Sequence, residues 1–516
     1  MKFEHLLDEL VSKRRKALDQ GGPDKIQKQH EKGRLTARER IDRLLDKDSL
    51  FEFGMLACSD RPGMEEKTPA DGIVTGFGMI NGRQVGIIAN DFTVLASSNS
   101  RVYSKKAKYI REQVVEKGLP LVWLGESGGG RLPDLQGARG IATLAGEGGS
   151  DRWIFSQYSH SRETPWTIGI MGPGNGVPMW QACLSDFVVQ VKGSTLSVSG
   201  ARALQKSIAA TYTDEDMGGW KIHAEHTGIT DKVAEDEEDC FRIIKTFLDY
   251  MPSNNTELPP RSSVSEGSGE TMDSILDILP EKRTRAYNMY KIIRAVADID
   301  SIFDLKESFG KTLITCLARI DGYVVGFVAN QPMVNGGAMD TAALEKMMSF
   351  LCLCDSFNIP LIFLHDTPGF LVGREAELKK VGAKVTNALH ALAQVSVPKI
   401  SIIIRKSYGQ ASANMCGPGT GPDFVVSWPT GEAGFLDPEA AADVVYGALP
   451  DEERHNLTQE MLKDSSMYPL AQEYFIHDVI DPRQTRKYIC NTLRLIRKSK
   501  TRGIGKHFLA NWPTKF

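Results

Sequence analysis

Short apolar runs separated by amphipathic stretches set the rhythm of this chain. PWTIGIM (165–171) is an apolar strand that runs straight into GPGNG (172–176). MWQACLSDFVVQV (179–191) follows with helical character. Upstream, INGRQVGIIAN (80–90) and GLPLVWLGESGGG (118–130) are further apolar strands, the second ending in glycines. Strands that alternate with helical stretches imply βαβ-type units and largely buried sheets.

The pattern occurs twice. IDGYVVGFVAN (320–330) repeats 80–90, with Gly82 on Gly322 and Asn90 on Asn330, an offset of 240 residues. NIPLIFLHDTPGF (358–370) repeats 118–130 at that offset and sets Glu126 on Asp366. VPKISIIIRKSYGQ (397–410) repeats 164–177 at an offset of 233, so Gly176 falls on Gly409. DKDSLFE (46–52) is echoed by DIDSIFD (298–304). A period this long is a duplication, not a solenoid. PSNNTELPPRSSVSEGSGE (252–270) has the composition of a surface linker. The boundaries expected are a first domain over 1–251, a linker over 252–282 and a second domain over 283–516.

Each copy turns from strand to helix through glycine, at Gly176 and at Gly409. Amide groups at a helix start lack partners and carry partial positive charge. Such a turn suits an oxygen that becomes anionic in a transition state. A tight turn without a ligand is the bland alternative for one glycine cluster, and its recurrence in both copies weighs against that reading.

Composition narrows the classes. The chain has 516 residues, 41% hydrophobic and 25% charged, with net charge −3. No basic field argues for nucleic acid, and no apolar run is long enough to span a membrane. Eight scattered cysteines form no zinc pattern and suit a reducing, cytoplasmic compartment. No phosphate loop, dinucleotide fingerprint or zincin motif occurs. His223 and His365 stand out by context only, and a lone histidine is more often structural. Glu126 and Asp366, one acid per copy, read as structural caps.

HEKGRLTARERIDRLLDKDSLFEFG (30–54), SGGGRLPD (127–134), DEDMGGWKIH (214–223), RAYNMYKII (285–293), DTPGFLVG (366–373) and IIRKSYGQA (403–411) together carry a resemblance. The chain resembles the carboxyltransferase (β) subunits of biotin-dependent acyl-CoA carboxylases, such as those acting on propionyl-CoA, and the related decarboxylase α subunits. The resemblance implies two crotonase-like α/β domains, the first on the acyl-CoA side and the second on the biotin side. It implies a site between the first domain of one subunit and the second domain of a partner, in a homohexamer. Gly176 and Val177 would face the thioester oxygen; Gly409, Gln410 and Ala411 would surround the ureido oxygen of carboxybiotin. Gly128, Gly129, Gly130, Arg131, Gly218, Gly219, Pro368, Gly369 and Phe370 would line the substrate sites. Val177 and Gln410 depart from the small residues usual there. No biotinylation site or ATP-binding domain is present in the sequence, so biotin is expected on a separate carrier protein charged by a biotin carboxylase. The reaction implied is carboxyl transfer between carboxybiotin and an acyl-CoA. The alternatives are a biotin-dependent decarboxylase subunit and a biotin-independent crotonase-type enzyme.

Overall fold

A computed structural model describes residues 3–138, 140, 157–201, 204–205, 211–496 and 507–513. The chain forms two compact units, one running to Asn255 and the other from Thr256 to Trp512. The division falls inside the stretch expected to be a linker. Residues 256–282 are not a free linker, because they pack on the second unit. Ser262 N–H donates to Gly322 O at 3.1 Å, the Arg261 guanidinium lies 4.3 Å from the Tyr323 ring, and Ile275 is wholly buried in the second core. Polar composition hid these anchors.

Among the described residues, unit 1 is built on eight strands: β1 (Phe51–Phe53), β2 (Ile73–Ile80), β3 (Arg83–Asn90), β4 (Leu121–Ser127), β5 (Trp166–Asn175), β6 (Phe187–Val191), β7 (Thr195–Ser197) and β8 (Lys232–Ala234). Their order is β1-β2-β3-β4-β5-β6-β8, with β7 on β5. β1, β2 and β3 are antiparallel; the pairings from β3 onward are parallel. Unit 2 repeats the design with β9 (Phe303–Asp304), β10 (Leu313–Ile320), β11 (Tyr323–Asn330), β12 (Leu361–Thr367), β13 (Lys399–Tyr408), β14 (Phe424–Ser427), β15 (Glu432–Gly434) and β16 (Asp478–Val479). Its order is β16-β14-β13-β12-β11-β10-β9, with β15 on β13. β4 and β12 are buried along their whole length, which is why they read as unbroken apolar runs rather than alternating ones.

The apolar stretch 179–191 is not one helix. A helix ends at Leu184, and Phe187–Val191 is the buried strand β6. Asp186 makes the break by accepting the Trp166 N–H at 2.9 Å. The β-branched run FVVQV then pairs with β5 in parallel.

Helices cover the sheets. α1 (Glu4–Leu18), α2 (Pro23–His30) and α3 (Ala37–Leu44) precede the first sheet. A capping box at Thr36 and Glu39 starts α3. α4 (Arg101–Lys117) packs Tyr103, Ile110 and Val114 into a core with Ile88, Trp123 and Ile168. In unit 2, Phe327, Ile400, Ile402 and Trp428 form a core with Ile292 and Ile293. No helix among the described residues is long and apolar enough to cross a membrane.

The 46–52 and 298–304 echo has a physical meaning. Asp46 accepts the N–H groups of Asn81 (3.1 Å) and Gly82 (2.8 Å) at the β2–β3 turn. Asp298 accepts those of Asp321 (3.1 Å) and Gly322 (2.8 Å) at the β10–β11 turn. One aspartate thus closes the hairpin in each unit.

Candidate active site

Both glycine turns are real and share a construction. β5 ends at Asn175, Gly176 adopts φ 70°, and α5 (Val177–Leu184) begins. β13 ends at Tyr408, Gly409 adopts φ 56°, and α6 (Gly409–Asn414) begins. The positive φ turns the chain sharply and favours glycine at both positions.

The donors at the two turns differ. Gly176 N–H already donates to Ser197 O on β7, at 2.9 Å. Met179 and Trp180 N–H return to Gly176 O at 2.9 and 3.3 Å. Pro178 has no N–H. These bonds engage the Gly176 amide and carbonyl, and Val177 follows directly at the start of the helix. In unit 2, Gln410 and Ala411 carry the amides of the first turn, and neither position is proline. Gln410 is exposed, Gly409 is half-buried, and Ala411 is buried.

Beneath each turn lies a carboxylate at a bulge. Residues Gly125–Ser127 of β4 face Ile170–Gly174 of β5, and His365–Thr367 of β12 face Ile403–Ser407 of β13, so β5 and β13 each carry extra residues. Bulges of this kind re-aim side chains beside sites. They turn Glu126 and Asp366 into the interior, where they are 1% and 0% exposed. Neither caps a helix; both are locked in ion pairs. Glu126 meets Arg40 at 2.8 Å and Arg34 at 3.2 Å, and also binds Gln29. Arg40 continues to Glu237 at 2.7 Å. Asp366 meets Arg405 at 2.9 Å, whose guanidinium lies 5.0 Å from the Tyr287 ring. Burial pushes the Asp366 carboxyl above its usual range, against the pull of Arg405.

The loops carrying the other expected site residues dock alike. Asn99 N–H donates to Gly129 O (2.9 Å) and Arg131 N–H to Asn99 O (2.8 Å). Met339 N–H donates to Gly369 O (3.0 Å) and Leu371 N–H to Met339 O (2.9 Å). Gly128 and Gly130 stay exposed, and Pro368, Gly369 and Phe370 half-buried. Arg131 is turned inward: Nη1 binds Asp71 at 2.6 Å and Nη2 binds Ser98 O at 2.9 Å. Its guanidinium holds the loop. Gly218 lies against β7, since a Cβ there would stand 2.0 Å from Leu196 O. Thr195 bridges to Gly219.

The two histidines are buried supports. His223 Nε2 lies 2.6 Å from Leu196 O and Nδ1 3.0 Å from Thr227 Oγ1. It braces β7, the strand whose Ser197 holds Gly176. His365 lies between Ser401 Oγ (2.6 Å) and Ser407 Oγ (3.1 Å). Burial lowers the pKa of both, that of His365 to about 3. Sequence reasoning missed the cluster under the second turn. There Arg283 binds Glu432 (2.8 Å) and Asp437 (2.7 Å), and Tyr408 OH donates to Glu432 at 2.7 Å. It also missed Arg405, although the offset of 233 sets this arginine on Gly172.

The duplicated mixed α/β fold, with a strand-to-helix glycine turn in each copy, is of the crotonase type. The carboxyl transferase domain model matches residues 28–508. The propionyl-CoA carboxylase carboxyltransferase subunit of Haloferax mediterranei is 34% identical over 520 residues, 98% of this chain and 99% of the relative. The methylmalonyl-CoA decarboxylase subunit alpha of Veillonella parvula is 32% identical, over 94% of this chain and 95% of its own length. The hexameric transcarboxylase 12S, solved with methylmalonyl-CoA and methylmalonic acid bound, superposes with a TM-score of 0.89 at 32% identity, covering 98% of both chains. The chain belongs to the carboxyl transferase family, and its reaction is biotin-dependent carboxyl transfer on an acyl-CoA.

Proposed function

We propose that the unit 1 turn receives the thioester oxygen of the acyl-CoA and the unit 2 turn the ureido oxygen of carboxybiotin. The observation that carries this is one strand-to-helix turn built twice over a buried carboxylate, with different amides left to donate. Val177 N–H would take up negative charge on the thioester oxygen as the α-carbon loses its proton. Gln410 and Ala411 N–H would hold the ureido oxygen at the start of α6. Biotin, attached to another polypeptide, supplies the carboxyl group. Gly128–Gly130 and Gly218–Gly219 would flank the acyl-CoA, and Pro368–Phe370 the biotin.

Glu126 and Asp366 are each engaged in ion pairs within their own unit. That favours backbone donors over side-chain acid–base chemistry as the source of rate. The partners we infer are a biotin carrier, a biotin carboxylase and further copies of this chain in a trimer of dimers; the 12S relative assembles as a hexamer. Eight free cysteines are consistent with a reducing cytoplasm.

The test is transfer from methylmalonyl-CoA to free biotin, alongside calorimetry with acetyl-, propionyl- and longer acyl-CoAs. Gly409→Pro should abolish transfer while thioester binding persists. No binding of any thioester at millimolar concentration would overturn the reading of unit 1. Light scattering at micromolar concentration should give the mass of a hexamer; an active monomer would refute the assembly.

A further inference from the structure

We propose that His365 is a positioning residue for carboxyl transfer, holding α6 through a hydrogen-bonded chain that ends on Ser412. This rests on the reading that the unit 2 turn receives carboxybiotin.

The imidazole is 0% exposed at the bulge of β12. Its Nδ1 is 3.1 Å from Ser407 Oγ, and Ser407 O–H donates to Ser412 Oγ at 2.8 Å. Ser407 lies on β13 just before the turn, and Ser412 lies three residues after Gly409. The links therefore cross from a buried side chain, through the strand, into the first turn of the donor helix. Ser407 gives its proton to Ser412, so it accepts from Nδ1–H. In a neutral ring Nε2 then carries no proton and accepts from Ser401 O–H at 2.6 Å. Burial keeps the ring neutral, with a pKa of about 3, so the ring has a single proton to place in this order.

Unit 1 has none of this chain. The repeat sets Gly125 on His365, Ile168 on Ser401, Gly174 on Ser407 and Met179 on Ser412. Nor does unit 1 need it. Pro178 stiffens the start of α5, which is eight residues long. α6 has six residues and no proline. A short helix with flexible first residues points its amides loosely unless something outside it fixes the turn, and misplacement by about 1 Å can cost a hundredfold in rate. The serine chain supplies that fixation on the side where the proline is missing.

The experiment measures transfer from methylmalonyl-CoA to free biotin in the full-length protein. Ser412→Ala and His365→Ala should each lower kcat about tenfold, with KM for methylmalonyl-CoA changed less than about twofold. His365→Asn, whose amide can replace the Nδ1–H donor, should recover most of the loss seen in His365→Ala. Equal loss in both His365 variants, a change in KM alone, or a normal rate in Ser412→Ala would each overturn the proposal. If His365→Ala does not fold, Ser412→Ala decides alone. Gly409→Pro separates the two ideas. If it retains transfer, the reading of this turn is wrong. If it loses transfer while Ser412→Ala is normal, the positioning role alone is wrong.

Discussion

The two bulges solve one problem in opposite ways. Each buries a carboxylate under a donor turn, and a buried charge needs a partner. In unit 2 the partner is local: Arg405 sits on the adjacent strand and meets Asp366 at 2.9 Å. In unit 1 the same position is Gly172, where even a Cβ would stand 2.2 Å from Glu126 Oε2. The longer acid fills that space, and its cations come from Arg34, which precedes α3, and from Arg40 on α3. A second exchange accompanies the first. Asn90 is braced by Ser97 Oγ (2.8 Å), Tyr103 OH (2.7 Å) and Trp123 Nε1 (2.6 Å). The repeat replaces these three partners with Gly337, Ala343 and Phe363, and unit 2 has His365 where unit 1 has Gly125. Duplication thus kept the backbone and moved the polar support, so each turn can be tuned without disturbing the other.

The largest effect expected is at the cations. Arg40→Met leaves Glu126 and Glu237 facing each other with one cation removed, and should cost about 3–5 kcal/mol in urea unfolding. Arg405→Met should cost somewhat less, because it exposes one acid rather than two. The two losses should also differ with pH. Asp366 has a raised pKa in the fold, and removing Arg405 raises it further. A carboxyl with a folded pKa above its unfolded one binds protons more tightly when folded. Its contribution is therefore greatest below the unfolded pKa and falls as pH rises through the folded value. Arg405→Met should then be less damaging at pH 5 than at pH 8. An equal loss at both would show that Asp366 does not carry the uncompensated charge.

The next effect sharpens the contrast at His365. Its folded pKa is lowered to about 3 by burial. A histidine buried neutral contributes stability present above its unfolded pKa and lost as pH falls toward the folded one. Between pH 6.5 and 5 this amounts to about 2 kcal/mol. His365→Gln should flatten the stability profile by that amount over this window, read by denaturant titration at several pH values. An unchanged slope would mean that the ring is not held neutral.

Much of this was legible in the sequence, for reasons that also explain the gaps. Buried parallel strands leave unbroken apolar runs, so β3, β4, β5 and their copies were visible, as were Gly176 and Gly409, where positive φ restricts the residue. Helix and strand could not be separated by apolar content in 179–191, where Asp186 decides through one backbone bond. Support residues were harder to see. Lys106 and Lys346 share the offset of 240 and each binds two carbonyls, Ala70 O (2.7 Å) and Ile73 O (2.5 Å) in one unit, Phe309 O (3.0 Å) and Leu313 O (2.7 Å) in the other. A charged residue in an apolar pattern reads as surface unless the repeat is used to flag it. Arg131 shows the other limit: its glycine-rich loop suggested a ligand contact, and nothing in the sequence pattern pointed to Asp71, sixty residues earlier in the chain, which holds the guanidinium.

The smallest effect tests whether matched parts remain equal. Asp46 and Asp298 clamp equivalent turns with the same pair of backbone bonds. Asp46 is only half-buried, so Asp46→Ala should cost about 1 kcal/mol, the usual net worth of such bonds near solvent. Asp298 is 4% exposed and also holds Arg486 at 2.5 Å. Removing it leaves that arginine, itself tied to Val296 O, without its carboxylate. Asp298→Ala should therefore cost about twice as much. The double variant Asp298→Ala with Arg486→Met removes the stranded charge and should recover the difference, bringing the loss back toward that of Asp46→Ala. If Asp298→Ala cost no more than Asp46→Ala, the ion pair would contribute nothing, and the two clamps would be equivalent in energy as well as in geometry.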